Sequence, residues 1–382
     1  MPRKKQTMGE KSLAAHKKYG GKVATSSKVR LKTKTDWSTY YTPGVGAVSS
    51  YVAQHPKTAS VYTMKKNSVA VISDGSAVLG LGNIGPFGAL PVMEGKAVIF
   101  KKIANIDAFP IVLDTQDPDA IIETIVNIAP AFGGINLEDI AAPQCFYIES
   151  ELKKRLSIPV MHDDQHGTAI VVLAGLLNAL TVVKKKKESV AVTILGAGAA
   201  GTATAHLLLR DGFKDIRVVD TKGVIGAHRQ DLNPHKDALA KLPTTRHKAQ
   251  TLADAVVETD VLIGLSGPGT IAMNTIRSMN EGAIVFALSN PKPEILPAEA
   301  LQAGAAVVAT GRSDFSNQIN NALVFPGIFR GALDNNVTHI TDSMKLQAAH
   351  ALARLIPRPV KGEIIPSVLD RRVVRAVARS IK

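Results

Sequence analysis

Residues 190–201 read Val-Ala-Val-Thr-Ile-Leu-Gly-Ala-Gly-Ala-Ala-Gly, an apolar run that ends in a glycine-rich turn. The first half predicts a buried β-strand, because it is β-branched and uncharged. The Ala-rich residues 202–210 predict a helix, and residues 216–220 predict a second strand. Strand, glycine turn, helix and strand in this order form the βαβ unit of a doubly wound parallel sheet. A G-x-G-x-x-G turn in this context is typical of a dinucleotide-binding site.

Each glycine of this turn has a physical reason in that interpretation. Gly196 allows the tight turn, Gly198 lets a pyrophosphate approach the backbone, and Gly201 lets the helix pack against the strand. The phosphates would bind the unpaired amides at the start of the helix, which include those of Ala199 and Ala200. The alternative is a glycine turn of an α/β protein that binds no nucleotide.

The end of the second strand bears on the choice of cofactor. Asp220 lies 19 residues after Gly201, where an acid can bind both ribose hydroxyls of NAD and would repel the 2′-phosphate of NADP. Lys222 lies two residues further on and could pair with such a phosphate. We therefore expect NAD as the cofactor, with NADP possible.

The rest of the chain alternates short apolar runs with helical stretches, which predicts an α/β fold. Before the glycine turn we expect strands over residues 69–72, 97–100, 111–113 and 159–162, a helix over 120–128 and a long apolar helix over 167–183. After it we expect strands over 261–265, 283–288 and 306–309, and helices over 341–355 and 371–381. These elements predict three parts: an N-terminal α/β catalytic domain over 1–187, a Rossmann-type domain over 188–340, and C-terminal helices over 341–382 that pack back on the first domain.

Composition excludes several classes of protein. The chain has 382 residues and a single cysteine, Cys145, so an intramolecular disulfide and a cysteine-rich zinc site are impossible. We find no uninterrupted apolar run of about 18 residues and no hydrophobic signal region after the N-terminus. We therefore expect no membrane association and a cytoplasmic location.

The net charge of +14 is concentrated at the two ends of the chain. Residues 1–35 contain eleven Lys or Arg and one acid, and residues 350–382 contain eight and two, so the residues between are close to neutral. Aromatic residues make up only 4%, and no stacking or zinc-finger pattern accompanies the basic residues. We interpret residues 1–26 as a basic arm that is solvated or contacts another subunit, with nucleic-acid binding as the less favoured alternative.

Acidic residues predict a possible metal site in the first domain. Two vicinal pairs stand out, Glu138-Asp139 and Asp163-Asp164. Carboxylates with open positions suit Mg²⁺ or Mn²⁺, although acids at strand ends and helix starts are also ordinary caps. His162 and His166 are four residues apart and could ligate zinc, but that spacing is common by accident.

Taken in order, the motifs of the chain resemble those of the short form of the malic enzymes, from about residue 27 to 370. The motifs are Tyr41-Thr-Pro-Gly-Val, Ser73-Asp-Gly with Gly80-Leu-Gly-Asn-Ile-Gly85, Pro91-Val-Met-Glu-Gly-Lys96, Glu138-Asp139, His162-Asp-Asp-Gln-His-Gly-Thr168, Gly196–Gly201 and Leu288-Ser-Asn-Pro291. The resemblance implies oxidation of L-malate with NAD(P) and decarboxylation to pyruvate, with Mg²⁺ or Mn²⁺. It also implies a homodimer in which an N-terminal segment reaches the partner.

The resemblance also implies roles for individual residues. Lys96 corresponds to the general base, Tyr41 to the general acid, and Asp163 to the residue that positions Lys96. The implied metal ligands are Glu138, Asp139 and Asp164, and the implied substrate and nicotinamide contacts are Asn290, Asn320 and Asn321. Ala77 stands where longer members have an arginine that binds a malate carboxylate, which leaves open how that carboxylate is bound.

Two other functions remain open on the sequence. One is a Rossmann-type dehydrogenase that acts on a hydroxy or amino acid without decarboxylation. The other is a non-catalytic NAD-binding module whose basic arms contact nucleic acid.

Overall fold

Two largely parallel sheets organise the chain, and outside the edge strands β2 and β7 almost every strand residue in them is buried. The computed structural model describes residues 7–78, 80–242 and 251–382. The first sheet has the order β2-β1-β3-β4, with β1 Ser68–Ser73, β2 Asp107–Val112, β3 Gly134–Leu137 and β4 Val160–His162. The second has the order β10-β9-β8-β5-β6-β7, with β5 Ala191–Leu195, β6 Asp215–Asp220, β7 Gly223–Val224, β8 Val261–Gly264, β9 Ile284–Ala287 and β10 Val307–Thr310. The short β7 is antiparallel to β6, and the other pairs are parallel.

Helices connect the strands and cover the sheets. In the first half they are α1 Met8–Tyr19, α2 Lys34–Tyr40, α3 Gly44–Gln54, α4 Ala59–Tyr62, α5 Gly85–Ala104, α6 Pro118–Ile128, α7 Gln144–Arg155 and α8 Asp163–Val183. In the second half they are α9 Ala199–Asp211, α10 Pro234–Ala240, α11 Leu252–Val256, α12 Met273–Arg277, α13 Pro297–Gln302, α14 Phe325–Asp334, α15 Asp342–Ala353 and α16 Arg372–Ala378. The expectation of an α/β fold with a Rossmann-type parallel sheet is confirmed.

The strand predicted over residues 97–100 is wrong, because these residues lie in α5. Their β-branched character suggested a strand, but the buried positions of α5 recur at three or four residues. They are Ala89, Met93, Lys96, Ala97, Phe100 and Ala104. This period places one face of a helix against the core, and tertiary packing therefore overrides the local propensity.

Two further boundaries matter for the site. The strand β3 was not predicted, and it ends directly before Glu138. The helix α8 begins at Asp163, four residues earlier than predicted, so the second acidic pair forms its first turn. Both acidic pairs therefore follow neighbouring parallel strands, β3 and β4, at the same edge of the first sheet.

The helix α8 connects the two halves of the core. A side chain at Gly175 would lie 2.5 Å from Ile319 and close to Phe286 on β9, so α8 packs tightly against the second sheet. By length and composition alone this helix could cross a membrane, but 67% of its apolar window is buried inside the protein, so it is a core helix.

The C-terminal part of the chain packs on helices of both halves. The helix α15 contacts α8 and α9, while α16 contacts α14 and α15. The buried Asn178 of α8 donates to the carbonyl oxygens of Ala353, at 3.0 Å, and Ile364, at 2.9 Å.

Substitution of Asn178 by alanine should leave these two buried carbonyls without a partner. We expect Asn178→Ala to lower the free energy of unfolding by about 1–3 kcal/mol, measured by urea denaturation followed by circular dichroism. The exposed Gln302→Ala should change it by less than about 0.5 kcal/mol. Equal stability of the two variants would contradict a structural role for Asn178.

Candidate active site

Lys96 is the buried cation at the centre of the candidate site. It lies on the inner face of α5, where its Nζ donates to Asp163 Oδ2 and lies 2.9 Å from Glu138 Oε1. The same nitrogen lies 4.4 Å from the ring centroid of Phe325, at the start of α14. Three elements that are distant in sequence therefore converge on one ammonium group.

The surroundings of Lys96 favour its charged form. Burial by itself lowers the pKa of Lys96, but the negative charges of Asp163, Glu138 and Asp164 outweigh it and raise the pKa above its ordinary range. Glu138 is fully enclosed as well, and burial raises its pKa well above the ordinary value despite the nearby Lys96. The lysine is therefore an ammonium group while it balances these carboxylates.

Glu138, Asp139 and Asp164 form a compact cluster of oxygens. One carboxylate oxygen from each residue lies within 4.8 Å of the others. Asn136, two residues before Glu138 on β3, donates to Glu138 Oε2 at 3.0 Å. The backbone N–H of Asp139 donates to Asp164 Oδ2 at 2.9 Å, which joins the two acidic pairs.

The backbone conformation of Asp139 explains how neighbouring residues face one site. Successive side chains along an extended strand point to opposite faces. Asp139 follows the end of β3 and has φ of 53°, in the left-handed region that Asp adopts more easily than most residues. The chain therefore turns at this residue, and both side chains reach the cluster.

The donor set of this cluster fits a hard divalent cation. Carboxylate oxygens are the preferred ligands of Mg²⁺ and Mn²⁺, and three of them within 4.8 Å leave the remaining positions to substrate and water. The residues predicted to bind Mg²⁺ or Mn²⁺ thus lie together, and Asp163 contacts Lys96 as the resemblance implied.

The two histidines of the 162–166 segment bind a different carboxylate. His166 Nε2 lies 2.9 Å from Glu149 Oε2 of α7, and the N–H of His162 donates to Glu149 Oε1 at 2.9 Å. Burial lowers the pKa of His166 to about 4, although the Glu149 charge opposes this. The contact of His162 with Glu149 is through its backbone, and its ring Nε2 lies 3.3 Å from the carbonyl oxygen of Ile140 instead. The two imidazoles thus have different partners, and this arrangement does not support the zinc alternative.

The glycine-rich segment around Gly80 contacts both the carboxylate cluster and the second half of the chain. The N–H of Ala77 donates to the carbonyl oxygen of Asp139 at 3.0 Å. A side chain at Gly80, where φ is 73°, would lie 2.4 Å from the carbonyl oxygen of Asn290 in the loop after β9. Only glycine allows this close approach, which places Asn290 beside the first half of the chain.

Buried Glu294 stabilises the loop that contains Asn290. Its Oε1 accepts from the N–H of Ser266 at 3.0 Å, and its Oε2 accepts from the N–H of Ser289 at 2.9 Å. Burial raises the pKa of Glu294. The loops after β8 and β9 are therefore joined through one side chain.

The remaining predicted carboxamides, Asn320 and Asn321, lie where a short helix begins. Asn320 caps this helix by accepting from the N–H of Ala322 at 2.9 Å. A Cβ at Gly167 would lie 3.2 Å from Cβ of Asn321 and against Asp163, so Asn321 is close to the first turn of α8. Asn321 is thus near the lysine–carboxylate cluster, whereas the Asn320 oxygen serves the backbone.

Tyr41 is the one predicted catalytic residue that lies apart from the cluster. It follows the last residue of α2 and is 61% exposed. Its hydroxyl makes no hydrogen bond to any residue in the part of the chain that the structure describes.

The glycine turn has the geometry that the sequence predicts. A Cβ at Gly196, where φ is 116°, would lie 2.2 Å from the carbonyl oxygen of Leu265. A Cβ at Gly201 would lie 1.8 Å from the carbonyl oxygen of Gly196, whereas one at Gly198 would meet no atom within 4 Å. The space at Gly198 and the uncapped start of α9 fit a pyrophosphate.

Asp220 lies at the end of β6 but is already surrounded by cations. It accepts from Arg229 Nη1 at 3.0 Å, from Lys236 Nζ at 2.6 Å and from the N–H of Lys222 at 2.9 Å. Partial burial raises the pKa of Asp220, but these hydrogen bonds lower it to about 2. The Lys222 side chain instead bonds Asp231 at 2.8 Å.

Comparison with known proteins decides the family. Residues 20–153 match the family model of the malic enzyme N-terminal domain, and residues 165–382 match that of the malic enzyme NAD-binding domain. The chain belongs to the malic enzyme family. It is 50% identical over 378 residues to the bifunctional malic/malolactic enzyme of Bacillus subtilis, with 98% of this chain and 92% of the relative covered.

Other malic enzymes extend this similarity. The NAD-dependent malic enzyme of Geobacillus stearothermophilus is 51% identical, with 95% of this chain and 76% of the relative covered. The NADP-dependent malic enzyme of Halomonas elongata is 46% identical, with 94% of this chain and 89% of the relative covered. The crystal structure of the NAD-dependent malic enzyme of Thermotoga maritima superimposes with a TM-score of 0.94 at 45% identity, with 97% of this chain and 98% of that chain covered.

Six residues that shape the site were not predicted from the sequence. They are Asn136, Glu149, Arg229, Lys236, Glu294 and Phe325. Asn136 could have been found, because a polar residue two positions before Glu138 on a buried strand faces the same side. The others approach from distant elements, and no local pattern indicates them.

Asp164→Asn should weaken Mn²⁺ binding, because it removes one negative charge from the carboxylate cluster. We expect at least a tenfold loss of affinity, measured by calorimetric titration of Mn²⁺, with NAD affinity nearly unchanged. The control is Glu151→Gln, on α7, whose carboxylate pairs with Lys154 and not with the cluster. Unaltered Mn²⁺ affinity in Asp164→Asn would exclude this residue as a ligand.

Asp220→Ser should release Arg229 and Lys236 to bind a 2′-phosphate. We expect NADP affinity to rise relative to NAD by about tenfold or more, since a hydrogen bond to a charged group contributes about 1.5–3 kcal/mol. The measurement is fluorescence titration of both dinucleotides. Asp237→Ser, which removes an exposed acid from α10, should leave the ratio unchanged. A constant ratio in Asp220→Ser would mean that this acid does not decide cofactor choice.

Proposed function

We propose that Lys96 and Tyr41 act as general base and general acid in the oxidative decarboxylation of L-malate to pyruvate. The chain is an NAD(P)-dependent, malate-decarboxylating oxidoreductase, as its membership of the malic enzyme family indicates. The observation that best supports the residue assignment is the buried Lys96 ammonium between Asp163 and Glu138, beside the cluster of three carboxylates.

The first step is loss of the C2 hydroxyl proton of malate as hydride leaves C2. Lys96 is the buried amine nearest the proposed metal ligands and accepts this proton, while Asp163 fixes the orientation of its Nζ. Glu138, Asp139 and Asp164 would hold a divalent cation, which would neutralise their charge and polarise the C2 oxygen, and a dinucleotide bound at the turn Gly196–Gly201 would accept the hydride. Burial then favours the neutral amine of Lys96.

The second half of the reaction begins when oxaloacetate loses CO₂ and becomes enolpyruvate. Lys96 returns the hydroxyl proton to the C2 oxygen as CO₂ leaves, which gives the enol. Tyr41 then donates a proton to C3 while Lys96 takes the enol proton back, so that pyruvate forms. Asn290, whose carbonyl lies against Gly80, and Asn321, which lies beside the first turn of α8, are proposed to contact substrate and nicotinamide. The backbone amides of the glycine-rich segment and Asn321 are proposed to bind the carboxylate that Ala77 cannot.

We expect a cytoplasmic enzyme that acts as a homodimer, in which the exposed N-terminal residues contact the partner. A dehydrogenase that does not decarboxylate its product and a non-catalytic NAD-binding module are both less favoured, because the chain matches both malic enzyme domain models and retains the lysine–carboxylate cluster.

Variants of the two acid–base residues should separate the steps. Lys96→Ala should lower hydride transfer from malate by about 10²–10⁴-fold, because the other buried lysine of the described residues, Lys345, bonds Asp342 instead. Tyr41→Phe should retain more hydride transfer but lose exchange of the C3 protons of pyruvate with solvent. The measurements are NADH formation by stopped flow and deuterium exchange by NMR.

The matched controls are Lys101→Ala, on the exposed side of α5, and Tyr40→Phe. Both should keep near-normal values in each assay. Loss of hydride transfer in Lys101→Ala but not in Lys96→Ala, or loss of exchange in Tyr40→Phe but not in Tyr41→Phe, would overturn the assignment.

A further inference from the structure

A cavity of about 340 Å³ lies where five helices from both halves of the chain meet. The helices α7 and α8 come from the first half, and α9, α10 and α15 come from the second. This volume is at the lower end of the range of ligand pockets and suits a small metabolite rather than a dinucleotide. The polar residues of its lining include Gln165, His206, Arg210, His235, Asp342 and Lys345.

The cavity is separate from the dinucleotide turn. The amides of Ala199 and Ala200, which fit a pyrophosphate, begin α9. The cavity instead follows one side of the same helix, along Ala203, His206 and Arg210. At 1.5 Å of rise per residue, Arg210 lies about 15 Å further along the helix axis than these amides. Arg210 is therefore too far along the helix to bind the same phosphates.

Cationic side chains outnumber acidic ones in the lining of the cavity. Asp342 Oδ1 accepts from Lys345 Nζ at 3.0 Å, and its Oδ2 lies 3.0 Å from Arg210 Nε. Two cations thus share one carboxylate, and one of the two is buried. Burial and the charge of Lys153 lower the pKa of Lys345, although the charges of Asp342 and Glu149 oppose this. A second negative group would stabilise the ammonium of Lys345.

Two further features of the lining favour an anion. Asp342 and Lys345 both belong to the first turn of α15, where the helix dipole is positive. Gln165 of α8 is buried and lines the cavity, and its Nε2 has no hydrogen-bond partner among the described residues. A buried N–H without a partner is unfavourable, and an acceptor oxygen of a ligand would satisfy it.

The remaining lining is apolar. Phe146, Ala169 and Leu207 contribute to it, and the ring of Phe146 lies 4.3 Å from that of His235 between centroids. A bare inorganic ion would leave these side chains without contact. A ligand that joins an anionic group to a short carbon skeleton would bury them.

We propose that this cavity binds a small organic anion whose carboxylate or phosphate group contacts Lys345 and Arg210. The short carbon skeleton of the anion contacts Phe146 and Leu207. The anion adds the negative charge that the two cations lack, and one of its oxygens accepts from Gln165 Nε2.

The proposed site adjoins both parts of the catalytic machinery without belonging to either. Gln165 directly follows Asp164 in the first turn of α8, and α9 begins at the dinucleotide turn. An anion between these helices is therefore connected to both parts through short stretches of backbone. Its binding does not depend on the proposed roles of Lys96 and Tyr41.

Calorimetric titration of the enzyme saturated with NAD and Mn²⁺ tests the site. The probes are glutarate and propyl phosphate, which carry three-carbon chains, and inorganic phosphate. We expect at least one organic probe to bind with a Kd of about 1 mM or below. It should bind about tenfold more tightly than inorganic phosphate, because the chain buries methylene groups. The tighter organic probe identifies the preferred anionic group.

Two results of this titration would overturn the proposal. One is that inorganic phosphate binds as tightly as both organic probes, since the apolar lining would then contribute nothing. The other is that the affinity for the organic probe falls in proportion to the NAD concentration, since the probe would then occupy the dinucleotide site.

Two substitutions in the cavity should change the affinity in opposite directions. Arg210→Gln removes an exposed cation and should weaken binding of the organic probe by about fivefold. Asp342→Asn removes the carboxylate that competes for both cations and should strengthen binding by about threefold. Damage to the fold would weaken binding in both variants, so the strengthened binding is the result that damage cannot produce. Arg277→Gln, on α12, is the control for the change in charge.

Equal affinities of Arg210→Gln and Arg277→Gln, or weakened binding in Asp342→Asn, would show that these groups do not form the site. Asp164→Asn should bind the organic probe as the wild type does. Loss of binding in Asp164→Asn would place the probe at the carboxylate cluster and would contradict a separate site.

Discussion

An ammonium group buried in the core needs negative partners, because an uncompensated buried charge costs several kcal/mol. Lys96 meets this requirement with Asp163 and Glu138, which come from the start of α8 and the end of β3. The two carboxylates are themselves buried and would be costly without the lysine. The geometry of the candidate site therefore follows from one charge balance, and α5, β3 and α8 must meet for it to form.

Close packing around this charged cluster links the two halves of the chain. The helix α8 begins at the charge cluster and continues against the second sheet, where the absence of a side chain at Gly175 lets it approach Ile319. The close contact of Gly80 with the Asn290 backbone joins the glycine-rich segment to the loop after β9. The carboxylates and the dinucleotide turn are thus contributed by different sheets but are connected through closely packed backbone.

The sequence predicted those parts of the site that depend on local order. The glycine turn, the acids after buried strands and the alternation of strands and helices are local patterns, and they were predicted correctly in type. The assignment of residues 97–100 to a strand failed because burial on one helical face, not β-branching, decides that segment. The partners of Asp220 could not be predicted, since Arg229 and Lys236 follow at nine and sixteen residues and become neighbours only through the fold.

We infer that the lysine–carboxylate cluster and the dinucleotide site together oxidise and decarboxylate malate. The most direct measurement is the stoichiometry of the products from L-malate with Mn²⁺ and each nicotinamide dinucleotide. We expect one pyruvate and one CO₂ for each reduced dinucleotide, and loss of all three products when a chelator removes the metal. Accumulation of oxaloacetate without CO₂, or full turnover in the presence of the chelator, would contradict it.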